Sequence, residues 1–397
     1  MTRAKLPATI VAIATYVIVA GIFTQSGVVL EPAAAFFHAS LPDTAVLFSY
    51  ASAGNLSGII VSLVAFNLFS IRTVLVAAYA CLFAGVGTIV ATHDLAIACG
   101  AILAIGLGVG TGLSAGAVIL AKLYADRARA VAFLCTDCAF SASGFVLPAV
   151  AGALIGAHAR WWSGYVVVAV LALLVLVAAV WLTFPATGRA ERAARQAGAT
   201  APAPRGATLR IALISFGLAL YLTGQTTFTI WAPAVLEHVL GVAAAQAGTI
   251  VSSFFGPSSL GLVTAAVVVS RVPPRSVLCF ALVMGVVLTL ALALLTDARG
   301  FFIATFAFGF TTTCMFKLMI SIGSEQLPSA PSALVTWLLI ASSVGTTAAP
   351  IVSGWVVRAF GDHASLWLAA ACYAATLATI AAALVLESLS RRASAPA

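Results

Sequence analysis

"PATGRAERAARQAGATAPAPRGATLR", residues 185–210, is a long polar stretch in an otherwise apolar chain of 397 residues. It sets Arg189, Arg192, Arg195, Arg205 and Arg210 among Ala, Pro and Gly. That composition makes a flexible linker rather than a packed element. Its position near mid-chain divides the protein into an N-terminal half, 1–184, a linker, 185–208, and a C-terminal half, 209–397. What each half can form follows from the residues on either side.

Hydrophobic residues make up 62% of the chain and charged residues 8%. Soluble proteins carry roughly a quarter charged residues. So much apolar surface needs a lipid bilayer as its solvent, and the chain reads as an integral membrane protein. The net charge of +8 does not point to nucleic acid. The basic residues fall in short connectors between apolar runs, with no basic stripe interleaved with aromatics.

Apolar runs long enough to cross a bilayer lie near 8–30, 44–68, 73–92, 95–121, 130–157, 161–184, 209–236, 244–270, 275–296, 300–324, 332–357 and 364–387. The first is too long for a signal peptide and reads as a retained span. With the N-terminus inside, the inner connectors and tails hold fifteen Lys and Arg and the outer connectors hold three, Arg160, Arg299 and Arg358. That asymmetry predicts an even number of spans with both termini and the linker in the cytoplasm.

The halves repeat. "RTVL" at 72–75 returns as "RSVL" at 275–278, an offset of 203. Pro148 and Gly152 of span five match Pro350 and Gly354 of span eleven, and Pro32 matches Pro233. The expected fold is an all-α membrane protein of twelve transmembrane helices in two six-helix pseudo-repeats.

Few charges lie deep in spans. Asp137, in "FLCTDCAFSASG" (133–144), follows Arg129 by eight residues, and Lys317 precedes Glu325 by eight. Arg129 and Glu325 mark the cytoplasmic edges of spans five and ten and are the gating candidates. At 1.5 Å per residue, both buried charges sit about 12 Å deep, one in each half. An unpaired charge at that depth costs at least about 2.5–3.5 kcal/mol on insertion scales. Asp137 is the candidate proton carrier. Lys317 is the candidate holder of an anionic solute, or the partner of Asp137. A static ion pair that orients helices, or a carboxyl that stays protonated, is the structural alternative.

The seven cysteines all lie in or at the edge of apolar runs and read as small hydrophobes. Cys135 and Cys138 form a Cys-x-x-Cys, but a redox pair opens a soluble helix and these lie mid-span. Met315 and Met319, one turn apart in "CMFKLM" (314–319), suit Cu(I) chemistry, yet Lys317 in the same turn opposes a metal ion. No metal or other cofactor is expected. "GLGVGTG" (106–112) lies in an apolar span without a strand, so it reads as a close helix contact and not a dinucleotide loop. No soluble catalytic domain appears, and the chain reads as a transporter rather than an enzyme. A copper or toxicant transporter and a membrane thiol redox protein are the alternatives.

The architecture resembles the major facilitator superfamily. The superfamily's loop between spans two and three is reduced here, in "FNLFSIRTV" (66–74), to Arg72. The span-five antiporter pattern survives in "GFVLPAVAG" (144–152) as Gly144, Pro148 and Gly152. Three stretches are similar to TsgA-like transporters, distant relatives of the fucose–proton symporters. They are "FLCTDCAFSASGFVLP" (133–148), "YLTGQTTFTIWAPAVLEHVLG" (221–241) with "AGTIVSSFFG" (247–256), and "GSEQLPSAPSALVTWLL" (323–339). The resemblance implies a proton-coupled transporter of a small solute; a monomer in a bacterial inner membrane is expected. The span-five aspartate recurs in that group, whereas Lys317 departs from it.

In such a fold spans one, four, seven and ten line a central cavity. Gln25 in span one, Asn55 in span two, Gln225, Thr226 and Trp231 in span seven and Thr312 in span ten are the candidate solute contacts. Buried amides need several partners, and an indole stacks on a polar ring. A single Ser or Thr more often bonds back to its own helix.

Overall fold

The computed structural model describes residues 5–39, 41–187, 206–242, 249–327 and 330–393. Residues 188–205 of the linker and 244–248 of the eighth expected span lie outside the described residues. So do Arg3, Arg189, Arg192, Arg195 and Arg205 of the inside count.

Backbone groups in lipid must be satisfied within their own segment, so long apolar runs become helices. In the first half these are α1 (Leu6–Thr24), α2 (Ser26–Phe37), α3 (Leu41–Leu68), α4 (Ile71–Ala91), α5 (Leu95–Leu123), α6 (Asp126–Gly156) and α7 (Ser163–Trp181). In the second half they are α8 (Ala207–Ala234), α9 (Thr249–Arg271), α10 (Pro274–Leu294), α11 (Ala298–Thr312), α12 (Met315–Ser324), α13 (Ser332–Phe360) and α14 (Ala364–Ala393). Among the described residues twelve spans are long and apolar enough to cross a membrane, and they match the twelve sequence runs.

Three spans are not continuous, which hydropathy does not foretell. The first breaks at Gln25, between α1 and α2. The seventh closes in a π turn, Val235–Val239, two residues after Pro233. Proline lacks an N–H and crowds the carbonyl four residues back, and a widened turn accommodates both. The tenth breaks between α11 and α12, where Thr311, Thr312 and Thr313 each donate to the carbonyl four residues earlier at 2.6–2.7 Å. Such back-bonding bends a helix.

Packing sorts the chain into two compact units. Unit 1 comprises Met1–Tyr124, Thr136–Ala201 and Pro331–Thr336; unit 2 comprises Ala125–Cys135, Pro202–Ala330 and Trp337–Ala397. Within unit 1, α5 packs on α1, α3 and α4, and α7 packs on α1 and α4. Within unit 2, α14 packs on α8 and α10, and α11 packs on α9 and α10.

The units repeat one construction. In unit 1 a methyl added to Gly106 would strike the carbonyl of Ala51, and one on Gly58 would strike that of Leu107. In unit 2 the same holds for Gly309 against Phe254 and Gly261 against Phe310. Every pair steps by 203 residues: 106 to 309, 51 to 254, 58 to 261 and 107 to 310. The anchoring residues Asp94 and Asp297, and Arg72 and Arg275, also step by 203, while the partners named for them step by 204 and 205. Asp94 caps α5 by accepting from Ala96 N–H at 2.7 Å, and Asp297 caps α11 by accepting from Gly300 N–H at 2.6 Å. Arg72 donates to the Leu182 carbonyl at 2.8 Å, and its counterpart Arg275 donates to Glu387 at 2.8 Å. Both arginines tie the start of a unit's third span to the end of its sixth.

The glycine contacts are backbone against backbone, so no rotamer change relieves a clash there. Gly106→Leu and Gly309→Leu are each expected to destabilise by about 1–3 kcal/mol or more. Thermal melting in detergent checks this. Gly87→Leu, where nothing lies within 4 Å, is the control and should melt as the parent does.

Candidate functional site

Asp137 stands on α6, half-buried, in unit 1. The α1–α2 segment touches α6 in that unit. A methyl placed on Gly144 would lie 3.1 Å from Thr24 Cγ2, and one on Gly152 would lie 3.6 Å from Val28 Cγ1. Tyr16 of α1 is 2% exposed. Thr136 is fully buried. Cys135 and Cys138 flank Asp137, half-buried, and none of the seven cysteines forms a disulfide.

Two other unit 1 candidates are amides. Asn55 on α3 is half-buried, and its Oδ1 has no hydrogen-bond partner among the described residues. Its carbonyl abuts Gly110 of α5. Gln25, at the α1–α2 break, is wholly buried, and neither end of its amide has a partner among the described residues. It lies against Gly164 of α7 and Ala151 of α6, so it faces the interior of unit 1. A missing partner for a buried amide costs about 1–3 kcal/mol, which marks both as places where water or a polar group is held.

In unit 2, Lys317 on α12 is 2% exposed, with its ammonium 4.4 Å from the Phe316 ring centroid. Met315 and Met319 are fully buried on the same short helix. Among the described residues no group of three His, Cys, Asp or Glu could hold a metal ion. Thr312 is buried. Its hydroxyl donates to the Phe308 carbonyl at 2.7 Å, and its carbonyl accepts from Tyr221 at 3.3 Å. Gln225 and Thr226 on α8 are half-buried. Trp231, one turn further on α8, donates its indole N–H to Ser353 of α13 at 2.8 Å.

The gating candidates join a larger polar network in unit 2. Arg129 is 7% exposed and donates to Ser324 Oγ at 3.2 Å. Glu325 pairs with Arg275 at 3.1 Å, and Arg275 also pairs with Glu387 at 2.8 Å. Burial pushes the Glu325 carboxyl above its usual range, while Arg275 and Arg129 pull it back. Next to this, Arg210 donates to Gln326 at 2.6 Å and to Ser390 at 3.0 Å. In the sequence Arg210 and Arg275 serve only as topology markers. The "RSVL" repeat is the signal that singles Arg275 out, since Arg72 occupies the equivalent place.

No family model matches the chain. Protein TsgA of Salmonella arizonae is 25% identical over 372 residues, 93% of each chain. Among solved structures, the major facilitator superfamily transporter FucP in the outward conformation aligns at a TM-score of 0.79 with 14% identity, covering 96% of this chain and 99% of that one. The proton:xylose symporter XylE aligns at 0.72 with 13% identity, covering 94% of each. This chain has the major facilitator fold. It resembles the TsgA proteins over most of its length, and its twelve apolar helices make it a multi-pass membrane protein. Its structural neighbours include proton symporters of fucose and xylose. The major facilitator fold explains the doubled construction of glycine contacts, helix caps and arginine anchors.

Proposed function

We propose that this chain is a secondary transporter that moves a small polar solute by alternating access, coupled to protons through Asp137. The observation that carries the reading is Asp137 itself. It is a carboxylate in mid-span, about two helical turns beyond Arg129, half-buried and next to the fully buried Thr136. A charge at that depth is costly unless it faces protein or water, and intramembrane acids mark proton paths. The fold's kinship with fucose:proton and proton:xylose symporters supports the same reading.

The solute contacts are assigned unit by unit. Unit 1 offers Asn55 and Gln25, the latter in the unit's interior. Unit 2 offers Lys317 as the cation, Gln225, Thr226 and Thr312 as hydrogen-bonding groups, and Trp231 as a ring fixed by Ser353. Trp231 held by its N–H presents a rigid face for a solute ring to stack on. Arg129 and Glu325 gate the cytoplasmic side. The halves 1–184 and 209–397 act as the two moving parts, joined by the linker 185–208. The protein works as a monomer in a bacterial inner membrane with both termini in the cytoplasm, as the charge asymmetry supports.

Reconstitution in proteoliposomes loaded with a pH-sensitive dye tests the coupling. Fucose, xylose and a sugar acid serve as first probes. One of these is expected to drive proton entry that a protonophore abolishes. Solute uptake without any proton movement would overturn the coupling.

A further inference from the structure

Span ten is two helices, α11 and α12, with Thr313 and Cys314 between them. A helix end leaves its last four carbonyls without an N–H from a following turn. Side chains take the Gly309, Thr311 and Thr312 carbonyls here. The Gly309 carbonyl accepts from Thr313 at 2.6 Å and from Ser258 of α9 at 3.1 Å. The Thr311 carbonyl accepts from the Cys314 thiol at 3.5 Å. The Thr312 carbonyl, the last before the break, accepts from the Tyr221 hydroxyl of α8 at 3.3 Å. Tyr221 is a strut from span seven to the break.

The strut is closely packed. Tyr221 is fully buried, and its ring meets Tyr373 of α14 edge-on, with centroids 5.6 Å apart. Tyr373 in turn meets Phe308 of α11 at 5.2 Å. A methyl on Gly285 of α10 would lie 2.6 Å from the Tyr373 ring, and one on Gly224 of α8 would lie 3.1 Å from it. Packing this close keeps the Tyr221 ring, and with it the hydroxyl, at the break. Beyond the break, α12 packs on α8 and α10. Lys317 stands in its first turn, five residues after Thr312, with the ammonium 4.4 Å from the Phe316 ring centroid. A long side chain there swings with any tilt of α12 about the break.

We propose that Tyr221 is a positioning residue for Lys317. Its hydrogen bond to the Thr312 carbonyl fixes how α12 leaves the break, and so where the ammonium meets the solute. This rests on Lys317 as a solute contact. Tyr221 acts through the backbone and not by touching the solute. A phenylalanine at position 221 fills the same space and lacks the donor, so it removes the strut and keeps the packing.

The chain has three lysines, Lys5, Lys122 and Lys317. Lysine labelled with carbon-13 at Cε therefore resolves Lys317 by proton–carbon correlation in the full-length protein in lipid nanodiscs, and no solute is needed. The signal that Lys317→Arg removes belongs to Lys317, and its proton shifts carry the ring current of Phe316. Tyr221→Phe is expected to shrink that ring-current shift. Incorporation of 3-fluorotyrosine at position 221, a stronger donor of nearly the same shape, is expected to enlarge it. This second variant decides the matter if Tyr221→Phe does not fold. A Lys317 signal that neither change moves overturns the role of Tyr221 and leaves Lys317 standing. Uptake of glucuronate into proteoliposomes then extends the test to the solute. Tyr221→Phe is expected to raise the half-saturating concentration by up to about tenfold, the worth of one hydrogen bond, and to leave the maximal rate unchanged. A lower maximal rate at unchanged half-saturation is what a merely structural tyrosine gives, and it overturns the proposal. If the parent takes up no glucuronate, or if Lys317→Ala takes it up as the parent does, the reading of Lys317 fails and this inference with it.

Discussion

Asp137→Asn is expected to abolish uphill, proton-driven accumulation of solute while sparing exchange between equal pools. The substitution keeps the shape and removes the titration. Exchange needs only that the loaded site turn between the two sides, whereas accumulation needs a proton to be taken up on one side and given up on the other. Burial disfavours the charged carboxylate and a nearby cation favours it. An acid subject to both influences changes its proton affinity when either one changes with conformation. Counterflow of radiolabelled solute in proteoliposomes reads exchange, and an imposed pH gradient reads accumulation. In the variant the imposed gradient should raise internal solute no further than equilibrium. Accumulation at the parent's level and pH dependence would make Asp137 a structural group.

The same substitution separates the proposed coupling from a fixed ion pair. A carboxylate that only orients helices costs stability when neutralised, because it leaves a partner buried without its charge. A carboxylate that carries protons costs function first. Melting temperature and accumulation are therefore measured on the same preparation.

Much of the fold was legible because the bilayer makes hydropathy a direct signal. All twelve spans could be read from run length and charge, and the 203-residue step already stood in "RTVL" and "RSVL". The glycine contacts extend that step into three dimensions, yet nothing in the sequence separates Gly106, which meets a carbonyl, from Gly87, which meets nothing. Both are glycines in apolar spans, and only the path of a second helix distinguishes them. The breaks at Gln25 and after Thr312 were hidden for a related reason. They arise from side chains bonding back to their own backbone, which leaves the hydropathy unchanged.

The candidate site was legible as residue types and not as partners. Asp137 and Lys317 stand out because charges in apolar runs are rare. The charge network of Arg275, Glu325 and Glu387 was hidden by its spread over more than a hundred residues, from 275 to 387. Gln25 stood out as a buried amide, but nothing along the chain points to its contact with Gly164.

Lys317→Ala is expected to remove uptake by about two orders of magnitude or more. An ammonium 2% exposed on a short helix is held by the groups around it, and truncation takes away both the charge and their anchor. Breaking a buried charged interaction costs about 3–5 kcal/mol, and each 1.36 kcal/mol is tenfold. The double variant Lys317→Ala, Asp137→Asn decides what the lysine answers to. If Lys317 balances Asp137, the double variant recovers the melting temperature that the single one loses, because no carboxylate is left without its counter-charge. If Lys317 holds an anionic group of the solute, the second substitution recovers none of the melting temperature that the first loses. In that case solute no longer stabilises the single variant in a thermal shift, though it stabilises the parent. Lys317→Arg sharpens the distinction. It keeps the charge but replaces a compact ammonium with a planar fork, so it should retain charge balance while disturbing a fitted solute contact. Uptake by Lys317→Ala at the parent's rate would remove this lysine from the site altogether.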